Sequence, residues 1–317
     1  MFSFVRLGSL RRRLQPLVNN RLIDLIQKVF FVVAIIFVGL LAWASRDSIG
    51  LIVRGANWEL LGLALIALML HHLFAPAMVT RVLRRSEHQL SITVAFRIYG
   101  RRLPARYLPG GIWHAISTTL DYHSRGVPPR YLLAINLFQM AFINGFSFVL
   151  GGGGLALIRR GTIWEHLGFL GALAGLLMIV GAVAYVPKLV RVQFSRLYII
   201  DVFWVSLYML AMLTLFVFSL MFYLAAFPGI IRDVGLLELF SVLMFARGVG
   251  FIAFFSPKGI GIFEAVSAGL IEGGESFSPL VVVLAGFRLL GILTDALIWS
   301  VAISPLGSNP KSLRENK

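Results

Sequence analysis

The amino-acid sequence predicts an all-α fold, a polytopic helical membrane protein with about eight transmembrane segments and with Gly/Pro-broken, re-entrant helices in both halves. The first observation behind this prediction is composition: 58% of the 317 residues are hydrophobic, only 14% are charged, and the mean hydropathy is +0.86. A soluble domain of this length needs far more polar surface. The second observation is that apolar runs alternate with short basic clusters. The net charge of +15 therefore indicates membrane topology rather than a nucleic-acid-binding surface.

Each predicted span is an apolar run of a length suited to the hydrocarbon core of a bilayer. The runs cover residues 29–45, 59–79, 131–158, 167–186, 197–226, 236–255, 259–271 and 279–303. The seventh run is too short to cross comfortably, so it is either a tilted span or a re-entrant half-helix. Around these runs we expect three regions along the chain: a basic cytoplasmic arm (1–28), a single transmembrane domain (29–303) and a cytoplasmic tail (304–317).

Basic residues are distributed unequally between the two sides that these spans define. The clusters on the side of the N-terminus hold nineteen Lys and Arg residues, and those on the other side hold five. The positive-inside rule therefore places the N-terminus in the cytoplasm, and eight spans return the C-terminus there. We expect the bacterial cytoplasmic membrane, with the first apolar run retained as a span. The basic region before that run extends to Lys28, which is too long for a cleaved leader.

Two polar features interrupt the first half of the chain. Residues 81–106 carry seven arginines among apolar residues, which suits a helix lying at the membrane interface, and are too short for an independent catalytic module. His71 and His72 lie inside the second run, and adjacent residues point about 100° apart on a helix. They are therefore a poor metal pair, and we interpret them as interfacial polar residues.

The stretch 256–264, which reads SPKGIGIFE, lies between two apolar runs and does not fit an ordinary spanning helix. Pro257 lacks a backbone donor, and Gly259 and Gly261 permit backbone angles that other residues resist. In lipid, broken backbone survives only where it is buried in protein or lines a wet cavity. An ionisable residue at that depth is costly and therefore indicates function.

A second Gly/Pro break lies in the first half, where residues 106–114 read RYLPGGIWH. Breaks in both halves of a chain are typical of a transporter substrate site. A helix that restarts after a break directs unpaired N–H groups at the cavity, and phosphate suits that geometry. The predicted substrate-binding residues are Arg106, Pro109, Gly110, Gly111, Trp113, His114, Pro257, Lys258, Gly259 and Gly261. Each break could instead be a turn between spans.

Four charged residues fall inside the predicted spans or beside the second break: Arg247, Glu264, Arg288 and Asp295. Because an unpaired ion in a bundle is expensive, opposite charges should pair. We expect Glu264 to pair with Arg288, and Arg247 to pair with Asp295. These pairs could serve as a gate, or they could simply fix the register of the helices.

The sequence contains none of the common patterns of catalytic or cofactor-binding machinery. Without cysteine it has no disulfide, thiolate metal site or cysteine nucleophile, and no phosphate loop or dinucleotide fingerprint is present. Glu264 with His114 could be imagined as an acid–base pair, but an ion-paired glutamate and an interfacial histidine are the favoured interpretation. We therefore predict no catalytic residue, no metal and no cofactor.

Three ordered motifs resemble those of a known family. Residues 257–265, PKGIGIFEA, resemble the P-x-G-[IL]-G-x-x-E motif of the lysylphosphatidylglycerol synthase transmembrane (flippase-like) domain. Residues 284–289, LAGFRL, resemble its following A-x-x-R segment, and residues 106–114 are similar to its first-half K-Y-L-P-G-G-x-W-H motif. Lys258 departs from the small residue usual there, and the soluble synthase domain is absent. The resemblance implies a helical fold with re-entrant segments that translocates a phospholipid or polyprenyl-linked headgroup.

The leading hypothesis is therefore a flippase-like protein that translocates or binds an anionic phospholipid or polyprenyl-linked headgroup. Arg106 and Lys258 would be the counter-charges, and the expected partners are membrane lipids. The alternative is a non-transporting scaffold that holds a cytoplasmic glycosyltransferase or lipid-modifying enzyme through its basic segments. A third hypothesis, an intramembrane transferase acting on a polyprenyl phosphate, would need Glu264 as its acid or base.

Overall fold

The computed structural model describes residues 55–84, 86–107, 113–191, 195–231, 234–252, 262–272 and 277–304. Across these ranges the chain is helical and contains no β-strand. The described helices are α1 (Trp58–Leu83), α2 (Ile92–Arg101), a 3-10 helix (Leu103–Tyr107), α3 (Trp113–Ser124), α4 (Pro129–Ile158), α5 (Ile163–Val190), α6 (Arg196–Ala225), α7 (Leu236–Ile252), α8 (Ile262–Glu272) and α9 (Phe277–Ile303). The described residues of 55–106 and 113–304 belong to one compact unit.

Five helices are long and apolar enough to cross a membrane: α1, α4, α5, α6 and the part of α9 from Val283 to Ile303. Each corresponds to a predicted span, so the sequence prediction of an integral membrane protein is supported. The count of about eight is not confirmed. The first predicted span lies outside the described residues, α7 has 17 residues, and α8 has 11. At about 1.5 Å per residue, α8 is too short to cross the hydrocarbon core.

Polar side chains at the helix starts fix where the apolar runs become helical. The side chain of Asn57 accepts hydrogen bonds from the backbone N–H groups of Glu59 and Leu60, at 3.0 and 3.2 Å. Ser91 accepts one from Val94 in the same way before α2. These bonds satisfy donors that an α-helix leaves unpaired at its N-terminus.

Glycines hold α4 and α5 together at unusually close range. A Cβ on Gly175 of α5 would lie 2.5 Å from the carbonyl oxygen of Gly145 in α4, and one on Gly168 would lie 2.5 Å from that of Gly152. Gly151, in the run of four glycines, packs against the backbone of α7 at Phe245. Small residues of this kind let membrane helices approach closely. Helix packing therefore encloses Gly151 and Gly152, whereas Gly153 faces open space.

Helix α2 is the element that turns the arginine-rich segment back onto the bundle. Its buried face, which includes Ile98, Tyr99 and Gly100, packs against α1 and α9. Gly100 lies so close to α9 that a Cβ there would come within 2.5 Å of the Cβ of Ala302. This packing and the 3-10 helix that follows bring Arg106 to the side of α9 that carries Asp295.

Two other arginines of this segment are held by ion pairs within the protein. Arg81, in the last turn of α1, lies 2.8 Å from Asp201 of α6, and Arg102 makes two 2.6 Å hydrogen bonds to Asp121 of α3. The sequence predicted an interfacial helix over residues 81–106. In the structure α1 continues to Leu83 and α2 begins at Ile92.

Candidate functional site

The structure describes three of the ten residues predicted to bind substrate: Arg106, Trp113 and His114. The others lie outside the described residues, and they are Pro109, Gly110, Gly111, Pro257, Lys258, Gly259 and Gly261. The described part of the candidate site is therefore centred on Arg106. All four residues predicted to form ion pairs are described.

Arg106 belongs to a set of polar contacts between α1, α2, α9 and the 3-10 helix. Its Nη2 donates a 2.5 Å hydrogen bond to the hydroxyl of Tyr99, and its Nη1 lies 3.4 Å from Oδ1 of Asp295. His72 bridges the same two partners, with Nδ1 at 2.9 Å from the Tyr99 hydroxyl and Nε2 at 3.1 Å from Oδ1 of Asp295. We call His72, Tyr99, Arg106 and Asp295 the Arg106 network.

The direction of each hydrogen bond in the Arg106 network follows from what each group can donate. A guanidinium only donates, so the Tyr99 oxygen accepts from Arg106, and its own O–H can donate to Nδ1 of His72 when that nitrogen carries no proton. The proton of a neutral His72 then resides on Nε2, where it is donated to Asp295. Burial raises the pKa of Tyr99 despite the opposing effect of Arg106, so the phenol keeps its proton.

The Arg106 network is enclosed by protein. His72 is 2% exposed and Asp295 is 6% exposed, while the side chain of Arg106 keeps 23% of its surface accessible. The interpretation of His71 and His72 as interfacial residues is wrong, because α2 and α6 cover them. His71 donates from Nδ1 to the main-chain carbonyl of Met212 at 2.7 Å, which uses that histidine to fasten α1 to α6.

His114, at the start of α3, lies beside the Arg106 network. Its ring packs edge-on against Tyr99, with the centroids 5.2 Å apart. The same two rings line a small cavity whose other polar lining residues are Thr118, Thr119, Tyr122, Asn136 and Gln139. Hydroxyl and amide groups can hydrogen-bond to polar or hydrated groups. The cavity therefore places further hydrogen-bonding side chains beside the Arg106 network.

The predicted pairing of Glu264 with Arg288 is confirmed. Nε of Arg288 donates a 2.6 Å hydrogen bond to Oε1 of Glu264, which joins α9 to the first turn of α8. Glu264 is 3% exposed, so its carboxylate depends on this partner. Phe287, beside Arg288, packs its ring on Phe216 of α6.

The predicted pairing of Arg247 with Asp295 is wrong. Within the described ranges, the ion-pair partners of Asp295 are Arg106 and His72, because this face of α9 packs on α1 and α2. The guanidinium of Arg247 instead lies over the ring of Phe216, 4.1 Å from its centroid, and its Nε is buried without a hydrogen-bond partner.

Two guanidinium groups lie in this part of the bundle. Arg106 contacts Asp295, and Arg247 lies over the ring of Phe216, which packs against His71. Such an arrangement can receive an anion in a region of low dielectric constant. In the described part of the chain, no group of three or more His, Asp or Glu residues could hold a metal ion.

Sequence reasoning missed two members of the Arg106 network, His72 and Tyr99. Each lay in a pattern with a simpler interpretation, a histidine pair in an apolar run and an aromatic residue in a basic amphipathic segment. The signal that could have found His72 is its position. It lies seven residues before the end of the second apolar run at residue 79, at a depth where a polar side chain is costly.

Comparison of the chain with protein-family models, with curated proteins and with solved structures finds no match. The resemblance to the lysylphosphatidylglycerol synthase transmembrane domain stays a prediction that depends on the three motifs alone.

Proposed function

We propose that the protein binds the phosphate of an anionic lipid headgroup at Arg106 and carries that headgroup across the bilayer. The observation that supports this most directly is the Arg106 network itself. A guanidinium, a phenol and two imidazoles lie together between helices of membrane-spanning length. A single ion pair would be enough to neutralise Asp295, so the additional polar groups indicate a further role. Ionisable groups at such a position indicate a substrate path.

Arg106 is well placed to exchange one partner for another. Its contact with Asp295 is long, at 3.4 Å, and part of its side chain is accessible. A guanidinium recognises phosphate through paired N–H donors, so a headgroup phosphate can compete with Asp295 for the same group. Arg106 also directly precedes the first Gly/Pro break, residues 108–112, whose restarting helix would supply further N–H donors.

The resemblance to a flippase-like domain and the two predicted breaks support movement of the lipid as well as binding. The scaffold hypothesis receives less support from the described contacts. Arg81 and Arg102, which would have offered charge to a partner enzyme, are neutralised by Asp201 and Asp121. Both pairs remove free positive charge that a partner protein could otherwise bind.

The test is leaflet exchange of fluorescent phosphatidylglycerol, and separately of a fluorescent polyprenyl phosphate, in liposomes that contain the purified protein. We expect exchange with the wild type, and a loss of at least tenfold with Arg106→Gln. Arg102→Gln is the matched control, since Arg102 lies four residues away and pairs with Asp121 outside the network. Equal exchange by both variants would contradict the role of Arg106. No exchange by folded wild-type protein, together with a co-purifying enzyme, would favour the scaffold.

A further inference from the structure

We infer that Arg247 is a second phosphate-binding residue on the transport path, which the headgroup reaches after it leaves Arg106. This inference rests on the proposed function and adds a residue to the path of the same lipid. Three features of Arg247 support it: its depth in the bundle, the chemistry of its contacts and its position beside the start of α8.

Arg247 lies deep within the helical bundle. It is nine residues along α7 from Glu238, which pairs with Arg159 at 2.8 Å where α4 ends and α7 begins. At 1.5 Å per residue this separation is about 14 Å, which is close to half the thickness of the hydrocarbon core. A charged side chain at such a depth is costly and marks a substrate path.

The contacts of Arg247 with the described residues do not neutralise its charge. Its guanidinium lies 4.1 Å from the ring centroid of Phe216, and its Nε is buried with no hydrogen-bond partner. An aromatic ring attracts a cation but carries no net charge. The cation–π contact therefore offsets only part of the cost of removing the guanidinium from water. An anion that binds Arg247 would supply the counter-charge.

Two acidic residues on neighbouring helices have other partners. Glu264 of α8 is ion-paired to α9, and Asp295 of α9 belongs to the Arg106 network. Residues 253–261, which directly follow α7 in the chain, contain no Asp or Glu. None of these groups supplies Arg247 with a counter-charge, whereas the phosphate of an anionic lipid can do so through paired N–H donors.

Arg247 shares a face of α7 with the residue that packs on the start of α8. This residue is Gly250, three positions on, where a Cβ would lie 3.2 Å from the Cβ of Phe263 in the first turn of α8. The first turn of a helix carries N–H groups without partners inside the helix, and a partial positive charge. The start of α8 can therefore add to the attraction of an anion towards Arg247.

A row of ring contacts connects Arg247 with the Arg106 network. Phe216, on which Arg247 lies, packs against the ring of His71, with the centroids 5.9 Å apart. His71 in turn packs edge-on against His72 of the network, at 5.2 Å. Both guanidinium groups are thus linked through side-chain contacts to the same turn of α1, which places the second phosphate-binding residue next to the first along the path.

The experiment compares lipid binding and lipid exchange in the wild type and in Arg247→Met, which keeps an unbranched side chain and removes the charge. Binding of dihexanoyl phosphatidylglycerol to the full-length protein in detergent is measured by calorimetry, and leaflet exchange of fluorescent phosphatidylglycerol is measured in liposomes. We expect the dissociation constant to change by less than about threefold, because Arg106 receives the phosphate first. Exchange should fall by about tenfold or more, since a charge-assisted contact on the path is lost.

The melting temperature of the unliganded protein distinguishes a role in transport from a structural role. Apolar replacement of buried ionic groups is often neutral or stabilising, so Arg247→Met should melt at the wild-type temperature or above it. Arg247→Lys tests the same residue without removing its charge. It lacks the planar fork that matches phosphate, so it should exchange lipid more slowly than the wild type.

Exchange at the wild-type rate by Arg247→Met would overturn the assignment. A lower melting temperature together with weaker binding would also overturn it, because Arg247 would then be structural. Stabilisation by inorganic phosphate that Arg247→Met abolishes, with lipid exchange unchanged, would assign Arg247 to a free anion instead. Loss of exchange in Arg106→Gln but not in Arg247→Met would leave the proposed function standing alone. No binding and no exchange by the wild type would overturn both proposals.

Discussion

Arg288 and Glu264 join α9 to α8 through an ion pair, with 2.6 Å between Nε of the arginine and Oε1 of the glutamate. Glu264 lies in the first turn of α8, where the helix dipole also favours a carboxylate. The pair thus anchors a helix of only 11 residues, which directly follows the second Gly/Pro break, to a helix of membrane-spanning length.

Removing Arg288 and removing Glu264 should destabilise the protein by different amounts. Arg288→Gln removes the ion-pair partner that lies 2.6 Å from the buried carboxylate of Glu264, so we expect a loss of about 3 kcal/mol in the free energy of unfolding. Glu264→Gln should cost less, because the side chain of Arg288 is 27% exposed and can reach solvent or lipid headgroups. Denaturant unfolding in detergent micelles measures both values. The double variant should recover part of the loss, and strictly additive losses would contradict the pairing.

The glycine contact between α4 and α5 gives a prediction with an internal control. Gly175→Ala places a Cβ 2.5 Å from the carbonyl oxygen of Gly145, so the helices must separate, at a cost of about 1 to 3 kcal/mol. Gly181 lies on the same helix with no atom within 4 Å of its virtual Cβ. Gly181→Ala should therefore stabilise α5 by about 0.5 to 1 kcal/mol. Thermal unfolding of the two variants distinguishes them, and equal shifts would count against close packing.

Tyr99→Phe should weaken the Arg106 network without changing its charge. The variant removes the donor to His72 and the acceptor for Arg106, and a buried group left without its partner costs about 1 to 3 kcal/mol. Tyr122→Phe is the comparison, because the Tyr122 hydroxyl makes one longer bond, 3.4 Å to the Ala95 carbonyl. Unfolding should show the larger loss for Tyr99→Phe. The reverse order would show that the network contributes little stability.

The spans were predictable because hydropathy reports a local property of the chain. Each described helix of spanning length coincides with an apolar run, and the Glu264–Arg288 pair was predictable because both residues lie in neighbouring segments with few other charges to choose from. The contact between Arg106 and Asp295 was not predictable. It joins residues 189 positions apart, and it exists only because α2 folds back and a 3-10 helix redirects the chain.

Long-range packing also explains why two expectations from the sequence were wrong. Arg247 was assigned to Asp295 because both lie in apolar runs, but sequence spacing does not say which face of α9 meets which neighbour. His72 was assigned to the interface because its cover, α2, is a basic segment that hydropathy places outside the bundle. Tertiary packing decides both cases.

The close packing of α4 against α5 at their glycines has a consequence for the bilayer around them. These helices have 30 and 28 residues, so each is about 42 to 45 Å long, whereas the hydrocarbon core measures about 30 Å. Because their backbones are in contact at several points, the two cannot adjust to this mismatch independently. They must tilt as one body or thicken the lipid beside them, and α5 exposes most of its apolar surface to that lipid. A change in membrane thickness would then change the tilt of α4 and α5 together.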